Sequence, residues 1–184
     1  MMTMDQKTFK RLFFEKKNGR SILKCIQCGT CSGSCPFGND MDHAPRELFQ
    51  LIRDGEMEEV LRSNTPWYCV SCYQCMTRCP KEIAVTDLMY TLKEMAVKNG
   101  FAPSHKMPDL YKSFSQTVKR FGRVTESLVM AGYGIKHPLD AMGALPLAVK
   151  LMFRKRFEVL PQKIGQPEKM KPFLTAGVEK EALE

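Results

Sequence analysis

Residues 25–36 read CIQCGTCSGSCP and residues 69–80 read CVSCYQCMTRCP. Each is C-x-x-C-x-x-C-x-x-x-C-P. The second run begins 44 residues after the first, and together they use all eight cysteines of the 184-residue chain. Three thiolates within seven residues occupy three corners of one cubane when the backbone curls around it. The fourth cysteine then faces away, and in two-cluster proteins with this [4Fe–4S] run it ligates the other cluster. The spacing therefore predicts two [4Fe–4S] clusters with crossed ligands. Cys25, Cys28, Cys31 and Cys79 hold the first; Cys35, Cys69, Cys72 and Cys75 hold the second. Zinc is the competing metal, but a structural zinc site draws C-x-x-C pairs from two separate loops, and three thiols packed into one run suit it poorly.

The sequence around the two runs is helical in character. After the first run comes DHAPRELFQLIRDG (42–55). Asp42 is a candidate N-cap, Pro45 lies in the first turn, Leu48, Leu51 and Ile52 share a face, and Gly55 stops the helix. A short helix over EMEEVLRS follows. From Val85 the apolar positions Leu88, Met89, Leu92, Met95 and Ala96 keep helical spacing to Gly100. No strand-like alternation lies between the cysteine runs. The expected fold is mainly α: an α-helical ferredoxin-type domain over residues 25–100. A basic N-terminal arm precedes it over residues 1–24, with at most a short helical turn at Phe9, Leu12 and Phe13. Residues 101–184 hold seven of the eleven prolines. That spacing predicts several short helices but no long one, in SHKMPDLYKSFSQTVKRFG, ESLVMAGYGIK and LPLAVKLMFRKRF, as an extension for docking rather than chemistry.

Composition narrows the class further. Hydrophobic residues are 43% and charged residues 26% of the chain, which is ordinary for a folded globular protein. The longest stretch free of Asp, Glu, Lys and Arg is 15 residues, so no transmembrane span is expected. The first residues, MMTMDQKTFKRLFF, lack an apolar core with a cleavage site, so no secretory signal is read and a cytoplasmic location is expected. A reducing compartment also fits cysteines used as metal ligands. The formal charge of +8 is uneven: +5 over residues 5–24, −3 over 25–100 and +6 over 101–184. Two oxidised clusters with their thiolates would lower the total, and basic flanks of this size face solvent or acidic proteins more often than nucleic acid.

Other residues receive plain readings. Trp67 and Tyr68, just before Cys69, shield the cluster and pack beside it rather than relaying electrons. His43, His105 and His137 are isolated and are not ligands, His43 being a helix-start residue. GYGIKH lacks the strand and final glycine of a dinucleotide loop. Lys150, Arg154, Lys155 and Arg156 form a basic patch that is solvated or faces a partner. The thirteen methionines are core filler. There is no phosphate loop, flavin or nicotinamide loop, nucleophilic triad or adjacent Cys-Cys pair. A chain whose every thiol serves as a ligand moves electrons and transforms no substrate itself.

CIQCGTCSGSCP, the PRELFQLIRDG helix and WYCVSCYQCMTRCP together closely resemble the HdrC subunits of heterodisulfide reductases, strongly over about residues 20–100. LPLAVKLMFRKRFEVLPQKIG resembles the C-terminal region of HdrC-like proteins more loosely. The resemblance implies an iron–sulfur subunit of a cytoplasmic oxidoreductase complex acting on sulfur groups. In that family HdrC relays electrons between a flavin-containing HdrA-like subunit and an HdrB-like subunit with CysCys domains, where a disulfide is reduced. In methanogens that disulfide joins coenzymes M and B. Related complexes serve flavin-based bifurcation or sulfur oxidation, so the substrate does not transfer. The eight cysteines match the family's cluster ligands one for one. Two other readings stand beside it. One is the iron–sulfur subunit of a membrane-associated, quinone-linked dehydrogenase, which commonly adds a [2Fe–2S] domain or cysteine-rich repeats that this chain lacks. The other is a zinc-stabilised adaptor or nucleic-acid-binding protein, suggested by the pI near 9.1.

Overall fold

The computed structural model describes residues 6–104, 106–154, 163–170 and 172. It divides into two compact units, Met1–Pro103 and Ser104–Glu184. Among the described residues every regular element is helical and none is a strand, as the lack of alternation between the cysteine runs predicts. No described helix is long and apolar enough to cross a membrane.

The first unit opens with α1 (Gln6–Glu15) and a 3₁₀ turn (Gly19–Lys24). The sequence reading makes this segment a basic arm with one short turn. The structure instead places a ten-residue helix there, with Phe9 and Phe13 buried and Ile22 behind them in the core. Positions 9 and 13 are one helical turn apart, so both rings point the same way while Lys7 and Arg11 face water. The core is completed by α3 (Pro45–Asp54), α4 (Met57–Arg62) and α7 (Val85–Lys98). Leu48, Phe49 and Ile52 come from α3, Val60 and Leu61 from α4, and Leu88 and Leu92 from α7. Met57, Met89 and Met95 fill the gaps between them.

Helix α3 stops at Gly55, whose φ of +99° closes the end with its N–H on the Leu51 carbonyl. Its start differs from the sequence reading. Ala44, not Asp42, is the N-cap residue, and Glu47 reaches back to accept the Ala44 N–H at 3.2 Å. Asp42 is occupied elsewhere: its carboxylate accepts the Asn64 N–H at 2.7 Å. Three one-turn helices lie at the cysteine runs: α2 (Thr30–Gly33), α5 (Thr65–Tyr68) and α6 (Gln74–Thr77). Helices α2 and α6 pack on each other.

The second unit holds α8 (Lys106–Phe121), α9 (Glu126–Lys136), α10 (Pro138–Phe153) and a 3₁₀ turn (Pro167–Met170). Helices α8 and α10 have 16 residues each, longer than the proline spacing predicts. Pro108 and Pro138 sit in first turns, where no backbone donor is needed. Pro146 lies inside α10 and removes one donor there. Three of the predicted features, His105, Lys155 and Arg156, lie outside the described residues; Lys150 and Arg154 are exposed.

Candidate metal centres

The two cysteine runs fold alike. In the first, Gln27 and Gly29 adopt left-handed backbone, φ +58° and +79°; in the second, Ser71 and Tyr73 do so at the corresponding positions, φ +57° and +61°. Two left-handed residues alternating with ordinary ones curl the chain tightly between the first and third cysteines. The third cysteine of each run, Cys31 or Cys75, then rides on α2 or α6. Because α2 packs on α6, the runs meet. Ser34 and Arg78, each just before the fourth cysteine of its run, approach to 3.4 Å.

That meeting interleaves the cysteines. One open pocket, of about 360 Å³ with the solvent space at its mouth included, is lined by Cys25, Cys28 and Cys31 together with Cys79 from the other run. A second, of about 370 Å³ with its mouth likewise included, is lined by Cys69, Cys72 and Cys75 together with Cys35. Val85, at the start of α7, lines both. The remaining walls are largely apolar: Phe49 and Ile83 in the first, Phe37, Met41 and Met89 in the second.

Each loop is also held by a cation from a later helix. Arg53 of α3 donates to the Cys25 carbonyl at 3.1 Å, and Lys93 of α7 donates to the Cys69 carbonyl at 3.3 Å. Lys93 is buried, and burial lowers its ammonium from the ordinary range. Among the sulfurs, Cys79 Sγ accepts the Ile83 N–H at 3.4 Å, and Thr30 Oγ1 lies 3.4 Å from Cys28 Sγ. The Thr30 hydroxyl holds the exposed Cys28 thiol below its usual range. Burial pushes the Cys31 thiol up to about 11 and raises Cys35 and Cys75.

These features fit an iron–sulfur group. Burial disfavours a bare thiolate and favours one whose charge a metal compensates. Among the described residues no three His, Cys, Asp or Glu side chains converge on a single ion. The thiols of each set instead stand around a cavity, which suits a multi-iron group and not one tetrahedral zinc.

The plain readings of neighbouring residues can be placed as well. Tyr68 lines the second cavity, whereas Trp67 packs into the core and its buried indole N–H has no partner among the described residues. His43 faces Glu59 at 3.2 Å, and its backbone pairs with Thr65. His137 faces Asp109 at 3.1 Å. Gly132, Tyr133 and Gly134 of GYGIKH lie inside α9, where no phosphate loop forms. Sequence reasoning misses Arg53, Lys93 and Val85. Their signal is thin: a cation on the helix after each run, and the first apolar residue of α7.

Comparison with known proteins places this geometry. A 4Fe-4S dicluster domain family matches residues 21–83. The HdrC-type iron–sulfur subunit of CoB–CoM heterodisulfide reductase from Methanopyrus kandleri is 34% identical over 99 residues, 53% of this chain and 52% of that protein. The corresponding subunit of the H2:CoB–CoM heterodisulfide,ferredoxin reductase of Methanothermobacter marburgensis is 38% identical over 89 residues, 48% of each. That of the ferredoxin:CoB–CoM heterodisulfide reductase of Methanosarcina mazei is 34% identical over 128 residues, 68% of this chain and 66% of that one. The chain thus spans about half to two thirds of the length of these relatives.

Proposed function

Starting from a chain that is HdrC-like in its dicluster segment and carries two [4Fe–4S] clusters, we propose that it is the electron-relaying subunit of a cytoplasmic heterodisulfide-reductase-type complex. It stands between a flavin-containing HdrA-like subunit and an HdrB-like subunit whose CysCys domains carry out the disulfide chemistry. The observation that supports this most is the interleaving of the two runs. Cys25, Cys28, Cys31 and Cys79 share one cavity, and Cys35, Cys69, Cys72 and Cys75 share the other. We assign the first set as ligands of cluster 1 and the second as ligands of cluster 2.

Each cluster, when bound, takes up and releases one electron at a time. The chain's own residues set the conditions for this. Phe49, Ile83 and Met89 keep water from the cavity walls, and Val85 stands between the two cavities. The Ile83 N–H on Cys79 Sγ, and the cations Arg53 and Lys93 on the loop carbonyls, favour added negative charge. The helices of residues 101–184 serve as the docking extension, with Leu139, Leu147 and Phe153 of α10 exposed.

Two experiments test the reading. Anaerobic purification of the tagged chain from its own host should bring with it a flavin subunit and a CysCys-containing subunit, identified by mass spectrometry. A haem-bearing membrane subunit in their place would move the function to quinone reduction. Cys79→Ala should damage the cluster of Cys25, Cys28 and Cys31 by iron content and EPR; loss confined to the Cys69, Cys72 and Cys75 cluster would overturn the crossed assignment.

A further inference from the structure

The two cysteine runs share a backbone but not their side chains, and the difference falls on the sulfurs. In the first set Gln27 Nε2 donates to Cys25 Sγ at 3.7 Å, the Thr30 hydroxyl lies 3.4 Å from Cys28 Sγ, and the Ile83 N–H reaches Cys79 Sγ at 3.4 Å. A cysteine that holds iron is a thiolate and can only accept, so the Thr30 hydroxyl donates there. In the second run the positions matching Gln27 and Thr30 are Ser71 and Gln74. The Ser71 hydroxyl is paired with the Tyr90 hydroxyl at 2.6 Å instead, and Gln74 is exposed. Among the described residues the second set has one side-chain contact of this kind, Thr86 Oγ1 at 4.0 Å from Cys75 Sγ.

The other charges and dipoles nearly balance between the sites. Arg53 and Lys93 each donate to the carbonyl of a first cysteine, Cys25 and Cys69. Arg46 and Lys81 line the first pocket, but each is followed in sequence by an acid, Glu47 and Glu82, and all four are exposed, so this rim adds little net charge. Backbone amides act at both sites, beneath the Thr30 hydroxyl at Cys28 and burial at the other thiols. Those of Thr30 and Ser32 lower Cys28 and Cys31, and those of Phe37 and Cys75 lower Cys35 and Cys75. The donors on the first set therefore distinguish the two sites.

A reduced iron–sulfur cluster carries one more negative charge than an oxidised one, and donors on its sulfurs stabilise that charge and raise its potential. Resting on the ligand sets and the relay reading above, we propose that Gln27, Thr30 and the Ile83 amide make the Cys25/Cys28/Cys31/Cys79 site the more easily reduced of the two. These groups give the relay a downhill direction inside the chain. One electron leaves the Cys35/Cys69/Cys72/Cys75 site, which is oxidised, and enters the Cys25/Cys28/Cys31/Cys79 site, which is reduced, with no proton or bond exchanged.

The test is an anaerobic redox titration of the full chain with both clusters, using dithionite and redox mediators and followed by EPR, with the iron content of every variant measured beside it. The parent should show two separate midpoints. Thr30→Val should lower the upper one and leave the lower in place, Thr30→Ser should leave both, and Thr86→Val should move the lower one alone. In samples reduced by one electron per chain, the ratio of first-site to second-site signal should fall about tenfold from the parent to Thr30→Val. Gln27→Glu keeps the side chain's shape and exchanges its donor for a negative charge. It should also lower the upper midpoint, and it decides the matter if Thr30→Val loses iron. The proposal is overturned by coincident midpoints in the parent, by a response of the lower midpoint to Thr30→Val or Gln27→Glu, or by no response to either. If the flavin and CysCys subunits still co-purify with the parent in that case, only the order of the two sites has failed. If they do not, the relay reading has failed with it.

Discussion

Asp42 and Asn64 clasp each other through their backbones: the Asp42 N–H donates to Asn64 Oδ1 and the Asn64 N–H donates to Asp42 Oδ2, both at 2.7 Å. Asn64 Nδ2 also donates to the Asp40 carbonyl at 3.2 Å. The clasp joins the segment leaving the first cysteine run to the segment entering the second, next to Met41 in the wall of the second cavity. Asn64→Ala removes the side-chain half of it. The pair is partly solvated, so the expected loss lies at the low end of the range for a broken hydrogen-bonded pair, about 1–2 kcal/mol. Anaerobic denaturant unfolding measures it. Unchanged stability would show that water replaces the clasp.

Gly29 and Tyr73 hold the same place in the two runs, and both are left-handed. A Cβ at Gly29 would meet nothing nearer than Arg46 Cδ at 3.7 Å, so any cost of a side chain there is conformational. Gly29→Val should cost about 1–2 kcal/mol and slow iron incorporation, whereas Gly29→Asn, which tolerates this backbone, should recover most of it. The ordering of the three proteins by unfolding midpoint decides the matter: parent and Asn together, Val below. Equal midpoints would mean that the loop relaxes.

What the sequence alone reveals follows from this. The two runs, helix α3 between Pro45 and Gly55, and α9 between Glu126 and Lys136 are legible because cysteine spacing, proline and glycine punctuation and 3.6-residue periodicity are local signals. Asp42 misleads because a capping residue and a residue that clasps a distant loop look the same in sequence; only the fold brings Asn64 to it. The left-handed Ser71 and Tyr73 carry no glycine to announce them, and the loop's closure overrides their preference. The packing of α1 is hidden by its charge, which outweighs Phe9 and Phe13 in composition but not in the core. Helix α10 passes Pro146 because one missing donor is tolerable within an otherwise continuous helix.

Lys93 and Arg53 should tune the two sites separately. Each puts a cation on the carbonyl of the first cysteine of a run, Lys93 at Cys69 and Arg53 at Cys25. Removing a nearby positive charge makes an added electron less favourable. Lys93→Met should therefore move one EPR-monitored reduction midpoint to more negative potential and leave the other in place, while Lys93→Arg keeps it. Arg53→Met should move the other midpoint. A common shift of both midpoints in either variant would mean that the cations act through the fold rather than locally.

In the second unit two carboxylates are held below their ordinary range. Lys136 lowers Asp109 by hydrogen bonding, with His137 assisting, and Lys106 lowers Asp140, with Tyr133 assisting. A group whose pKa is depressed on folding contributes stability that is complete above its unfolded value, here 3.8, and is lost as pH falls through the folded value. The contribution should thus be constant from neutral pH down to about pH 5 and disappear in more acid solution. Asp109→Asn/Asp140→Asn should unfold earlier than the parent at neutral pH, and the two should converge in acid as the pH falls through the parent's depressed carboxylate values. A gap between them that stayed constant through that range would locate the effect in packing.

Val85 is the side chain shared by both cavity walls, and it is almost fully buried. It follows directly on the Ile83 and Ala84 segment whose amide at Ile83 reaches Cys79, and its two methyl groups border both cavities. Val85→Ala removes those methyls and leaves the ligand loops untouched. The expected cost is about 2 kcal/mol from lost burial and the cavity left behind. Water admitted between the sites should also speed iron release in air, followed by the decay of the iron–sulfur absorbance. Val85→Ile keeps the partition and should hold its iron as long as the parent does, though added volume costs it some stability. If Val85→Ala lost stability but not iron, the partition would matter to the core alone; if it lost iron without losing stability, exclusion of water at that wall would be the function of this side chain.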